Sequence, residues 1–141
     1  MRKLAVLLLA IVVLAGCKDP YGACEKAALN IGNGVAAGMK TTDDLRAAGK
    51  ISVQEETNIL GFLKFANDAN GAFGNCAQQV HASGARTGYT ACASVFQVAL
   101  SNPAELALIH VSNPNTQQDV MVIVNGINTG VSTLLAALGG Q

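Results

Sequence analysis

"LRAAGKISVQEETNI", residues 45 to 59, reads as the end of one helix and the start of another. Gly49 suits the left-handed residue that closes a helix. Ser52-Val53-Gln54-Glu55 matches the S-x-x-E capping box, in which a hydroxyl and a carboxylate each satisfy a backbone N–H at the other's position. About three residues lie between these signals, a loop length that makes two helices antiparallel neighbours. The stretch predicts a helical hairpin.

Downstream of it, Ile59, Leu63, Ala66, Ala69, Phe73, Cys76 and Val80 recur in steps of three and four, one face of a long helix. Gly61, Gly71 and Gly74 interrupt that face's surroundings, each costing ~1 kcal/mol against alanine. Upstream, Ala23, Ala27, Ile31, Val35 and Gly38 trace a second face. Thr41-Thr42-Asp43-Asp44 then marks a kink or a restart, with a threonine as cap. Gly34 and Gly38 have the G-x-x-x-G spacing, which in a chain so rich in Ala and Gly signals no more than close packing. Residues 81 to 89 read as a loop, followed by a third helix turning Cys92, Val95, Phe96 and Ala99 inward. Asn102-Pro103-Ala104-Glu105 places a cap, a first-turn proline and an N3 glutamate in order. The same Ser-Asn-Pro recurs at 112 to 114 as another helix start.

"VMVIVNGINTGV", residues 120 to 131, admits two readings. Asn125-Gly126 among β-branched residues is a hairpin signal. Against it, Val120, Val124, Ile127, Val131, Leu134, Leu135 and Leu138 keep helical spacing, and "INTGVSTLL" does not alternate. The helix is preferred, with Thr116 and Asp119 as a cap pair. The expected fold is all-α: an antiparallel bundle of about four main helices plus a short extra turn at 103 to 109, after an N-terminal signal segment.

Composition narrows the function classes. The formal net charge is zero, with nine basic and nine acidic residues, and no basic patch suggests nucleic acid. With no Trp, two Tyr and four Phe, the core must come from Ala, Val, Leu and Ile. At the N-terminus, Arg2 and Lys3 precede an uncharged run of 13 residues, Leu4 to Gly16, too short to span a bilayer. No second uninterrupted apolar run is expected to approach spanning length.

That run ends in Leu14-Ala15-Gly16-Cys17, which resembles the lipobox of bacterial lipoproteins. The resemblance implies cleavage before Cys17, a diacylglyceryl thioether on its sulfur and an acylated new amino terminus. Residues 1–16 would then be a removed signal peptide, 17–21 a lipidated tether and 22–141 one helical domain. Two or three acyl chains, at ~0.8 kcal/mol per buried methylene, anchor a protein stably without spanning. In that family, aspartate directly after the lipidated cysteine favours inner-membrane retention. Lys18 stands there instead, which implies the periplasmic face of the outer membrane. The family shares a sorting signal and not an activity.

With Cys17 given to lipid, Cys24, Cys76 and Cys92 remain. Equal rise about a loop near residue 50 pairs residues whose numbers total about 100, as Cys24 and Cys76 do. About the loop near 84 the total is 168, matching Cys76 and Cys92. All three thiols, and His81, are therefore expected at one end of the bundle. An exported chain favours one disulfide. Either pairing of Cys76 is open, with Cys24–Cys76 closing the longer loop and stabilising slightly more on chain-entropy grounds. The alternative is a metal site of Cys24, Cys76, Cys92 and His81, disfavoured because no C-x-x-C spacing occurs and oxidation competes with metal.

No catalytic constellation is visible. His81 and His110 are the only histidines, no activated-nucleophile motif surrounds them, and the acid pairs Asp43-Asp44 and Glu55-Glu56 read as helix-terminus charges. "GNGVAAGMK" follows no expected strand and is no phosphate loop. No cofactor is expected. The expected function is non-enzymatic: a lipid-anchored interaction, scaffold or inhibitor-type protein. It touches the membrane through Cys17 and an envelope protein through a surface such as the polar face of the second helix, Asn58, Asn67, Asn70 and Gln78. The alternative is a bundle holding a small molecule or metal in a cavity among its small residues.

Overall fold

The computed structural model describes residues 19–85 and 87–139. The expected signal segment and Cys17 lie outside the described residues. Asp19 accepts a hydrogen bond from the Gly22 N–H at 3.0 Å and caps α1 (Pro20–Ala47), whose proline occupies the first turn, where no N–H is required. The helix thus begins inside the stretch expected as tether. It runs unbroken through Thr41–Asp44, so the expected kink is absent. Thr41 and Thr42 turn their hydroxyls back to the carbonyls of Ala37 and Gly38, each at 2.9 Å, and Lys40 pairs with Asp44 one turn on. Gly49, at φ 67°, ends the helix as read. Its N–H donates to the Arg46 carbonyl and that of Lys50 to the Leu45 carbonyl, the double closure of a Schellman motif.

The capping box then opens α2 (Val53–Ala82), which buries Ile59, Phe62, Leu63, Ala66, Asn70, Phe73 and Ala77. The helix continues past His81, so the following loop is shorter than expected. Gly88, at φ 113°, supplies the left-handed turn that launches α3 (Tyr89–Leu100). This helix buries Tyr89, Cys92, Ala93, Phe96 and Leu100. Val95, expected inward, is 72% exposed, because the burial stripe is centred on Cys92 and Phe96 and leaves Val95 on its flank. Asn102 accepts from the Ala104 N–H at 3.0 Å and caps the short α4 (Pro103–Leu108).

In α5 (Pro114–Gly139) the Asn125-Gly126 turn signal is overridden, and one helix runs through it. Seven stripe positions, from Thr116 through Val131 to Leu138, are buried, and a two-stranded turn would pull half of them from the core. Asn113, and not Thr116 with Asp119, caps this helix: its Oδ1 accepts from the N–H groups of Asn115 and Thr116 at 3.0 and 3.3 Å, while the Thr116 residue is buried. By length and mean hydropathy α5 passes for a membrane-crossing helix, although polar residues at Asn125, Asn128, Thr129, Ser132 and Thr133 interrupt its apolar run, as expected. Here its apolar stripe is the wall of the bundle core.

The four long helices form an up-down-up-down bundle in which α1 packs on α2 and α5, and α3 on α2 and α5. Registers are antiparallel throughout. Asn70 meets Ala28 across α1–α2, Phe73 stacks on Phe96 across α2–α3, and Gln97 bonds to Ser132 across α3–α5. Gly38 marks the closest approach of three helices: a Cβ there would stand 2.8 Å from Ile123 Cγ2 and 3.2 Å from Leu63 Cδ2. Gly38→Ala should therefore destabilise the fold by ~1–3 kcal/mol despite alanine's better helix propensity. Gly34→Ala, with open space around it, should not. Urea unfolding of the two variants side by side measures this difference.

Candidate functional site: the cysteine end of the bundle

The register places the three cysteines and His81 at the end of the bundle where α1 begins and α2 ends, as the sequence suggested. Two of the thiols are joined. Cys76 on α2 and Cys92 on α3 form a disulfide with Cα atoms 5.8 Å apart, and Cys24 remains free and buried. The entropic preference for the longer loop is overruled by direction, since Cys76 occupies the flank of α2 turned toward α3. Burial, reinforced by the negative charge of Asp19, pushes the Cys24 thiol up to about 11. It stays protonated at neutral pH and lacks the thiolate needed for nucleophilic or ligand chemistry.

The alternative metal set of Cys24, Cys76, Cys92 and His81 is not assembled. Two of its sulfurs are spent on each other, and the His81 ring lies stacked on Tyr21, centroids 4.0 Å apart and planes 13° apart. Among the described residues no three His, Cys, Asp or Glu side chains lie close enough to share a cation. Around the stack, the Glu25 carboxylate first and then burial hold the Tyr21 hydroxyl above its usual value. Tyr89, buried beside Cys24, is raised by burial first and then by the charges of Cys24 and Asp19.

Elsewhere, candidate polar residues turn out to hold structure together. Glu55 accepts from the Ser52 N–H at 2.7 Å and, through its other oxygen, from the Ser112 N–H at 2.7 Å. One carboxylate thus closes the capping box and ties the loop before α5 to the start of α2. The Ser112 contact spans too much sequence to be seen in any local motif. Glu56 pairs with Arg46 across the hairpin at 3.5 Å. His110 is exposed on the loop after α4 and has no acid partner in reach among the described ion pairs. The polar face expected on α2 is also revised. Asn67 and Gln78 are exposed and Asn58 half-buried, but Asn70 is buried, donating to the Ala28 carbonyl at 2.9 Å in the α1–α2 seam. Gly32 lies beside it, where an added Cβ would sit 3.6 Å from the Asn70 amide, in ordinary van der Waals contact.

Glu55 gives the fold an acid sensitivity. Backbone N–H donation from Ser52 and then Ser112 lowers its carboxyl from 4.5 to about 2. Because the folded value lies below the unfolded one, the stabilisation is complete above pH ~4.5 and drains away as pH falls toward 2. In Glu55→Gln the loss of stability over that window should shrink, which chemical denaturation at pH 6, 4 and 2.5 measures.

Compared with known protein families, curated proteins and solved structures, the chain matches none.

Proposed function

We propose that this chain is a lipid-anchored helical protein of the cell envelope that acts by binding a protein partner and not by catalysis. The observation that carries the reading is the Cys76–Cys92 bond between α2 and α3, in a chain that opens with a lipobox-like Leu14-Ala15-Gly16-Cys17. A structural disulfide suits an exported protein. The start of α1 supports the same reading. Asp19 is already its cap, so two peptide steps, at most ~7 Å, separate Cys17 from the folded domain. A lipid on Cys17 would hold the bundle against the bilayer by the end that carries Tyr21, His81 and the loop before α3. Lys18 favours the periplasmic face of the outer membrane as the location.

Non-catalytic action is supported by how the reactive side chains are used. Cys76 and Cys92 are bonded to each other, Cys24 is buried and protonated, and Glu55 caps a helix. The test is fractionation of a diderm bacterium expressing the full chain and its Cys17→Ala variant. The parent should sit in the membrane fraction, with a mass starting at Cys17 plus two or three acyl chains, and the variant should not acquire lipid. An unlipidated parent, or identical masses for the two, would overturn the anchor.

A further inference from the structure

Four helix termini meet at the cysteine end of the bundle. α1 starts there with its Asp19 cap, and α2 ends there, since Tyr21 stacks on His81. α3 starts there because Cys92 is bonded to Cys76. α5 ends there too: an added Cβ at Gly38 would meet Ile123 and one at Gly130 would meet Ile31, a register that brings Gly139 level with Gly22. This end offers a ring pair and short neutral side chains. His81 is exposed, and so are Ser83, Ala85 and Thr87 beyond it. Rings with an apolar body and a polar tip suit the zone where water gives way to lipid. In the sequence of this end Lys18, Lys26 and Arg86 outnumber Asp19 and Glu25. The far end is acidic. Asp43, Asp44, Glu55 and Glu56 flank the hairpin there, and the α1–α5 register sets Asp119 level with Thr42, against Lys40, Arg46 and Lys50.

We infer that the bundle stands upright on an anionic phospholipid surface, its cysteine end in the headgroup layer with the Tyr21–His81 pair as the contact. The inference rests on the proposed lipid at Cys17 and adds an orientation to it. Two peptide steps, at most ~7 Å, join Cys17 to the Asp19 cap. α1 packs on α2 and α5 and stands diagonally from α3, so a bundle lying on either side that contains α3 has α1 in its upper layer. With axes ~10 Å apart and a helix radius of ~5 Å, the start of α1 would then be ~15 Å up, about twice the reach of the tether. The two sides that contain α1 meet a different obstacle. Acidic and basic residues number three and three on α1, three and one on α2, and one and none on α5. Either side therefore brings an excess of carboxylates within a Debye length, ~8 Å, of an anionic surface. Upright, the 28 residues of α1 at 1.5 Å each hold the acidic end roughly 40 Å away, where that repulsion is screened out.

The test puts an environment-sensitive fluorescent amino acid at Thr87, Leu29, Val98 or Lys50, all exposed, in the lipidated full chain. The carrier is a vesicle of phosphatidylethanolamine and phosphatidylglycerol, with lipid spin-labelled near the headgroup as quencher. Thr87 should be quenched several-fold more than Lys50, with Leu29 and Val98 well below Thr87. Stronger quenching at Leu29 or Val98 than at Thr87 would mean that the bundle lies on its side and would overturn the inference, as would equal quenching at all four. His81→Asp sets a carboxylate in the contact and should lower the Thr87 quenching roughly twofold with circular dichroism unchanged. No change there would overturn the ring pair as the contact. Mass and flotation of the same sample separate the two readings. A lipidated chain that floats with the vesicles but leaves Thr87 unquenched keeps the anchor and discards the upright stance, whereas an unlipidated chain discards both.

Discussion

Phe96→Ala should cost ~3–5 kcal/mol, the range for deleting a buried aromatic from a packed core, and bring this domain near the edge of its stability. Phe96 is 2% exposed and lies stacked on Phe73, ring centroids 5.6 Å apart. The effect is large because α3 has only 12 residues, a length at which an isolated helix is marginal in water. Its attachment to α2 includes this ring pair and the disulfide one turn earlier. Val95→Ala, one residue away and exposed, should stay within ~0.5 kcal/mol. Urea midpoints followed by circular dichroism separate the two. Equal shifts would mean that α3 is turned about its axis relative to the structure described.

Removing the disulfide should have the next largest effect. Cys76 and Cys92 are 16 residues apart, and closing a loop of that size stabilises by ~3 kcal/mol in the chain-entropy account. For a domain of this length that corresponds to a fall in Tm on the order of 10 °C on reduction, or in Cys76→Ser combined with Cys92→Ser. Cys24→Ala leaves the bond intact and should cost far less. Peptide mapping of the oxidised protein checks the pairing directly: a peptide joining the segments around Cys24 and Cys76 would refute it.

Much of the architecture was legible because its signals are local. In turning the hairpin, Gly49, Ser52 and Glu55 act within six residues of one another, through backbone conformations and the reciprocal Ser52–Glu55 hydrogen bonds. The stripes of α1, α2 and α5 were readable for a related reason, since a helix in a two-layer bundle has one dry side and period 3.6 reports it. Local chemistry also pulls the other way. Thr41-Thr42-Asp43-Asp44 has the composition of a helix start, which gave the kink or restart the structure lacks, and Asn125-Gly126 has that of a hairpin, which the helical spacing of its neighbours outweighed. In both places the helix already had enough buried positions on either side to hold its path. Ser112-Asn113-Pro114 reads as a helix start and is one, while the competing cap pair Thr116 and Asp119 lies closer to the apolar pattern of α5, which becomes visible only several residues later.

What the sequence by itself determined is the all-α class, the hairpin at residues 47 to 53, the apolar stripes of α1, α2 and α5 and the level along the bundle at which each cysteine sits, because helical period, rise per residue and loop length set those quantities. The tertiary structure decided the angular ones. It chose Cys92 over Cys24 for Cys76, turned Val95 outward, sank Asn70 into the α1–α2 seam and brought Ser112 to Glu55. Each depends on how a helix is rotated about its own axis against its neighbours. That rotation is settled by the summed packing of all four helices, with Gly38 at their closest approach, and no short stretch of the chain contains it.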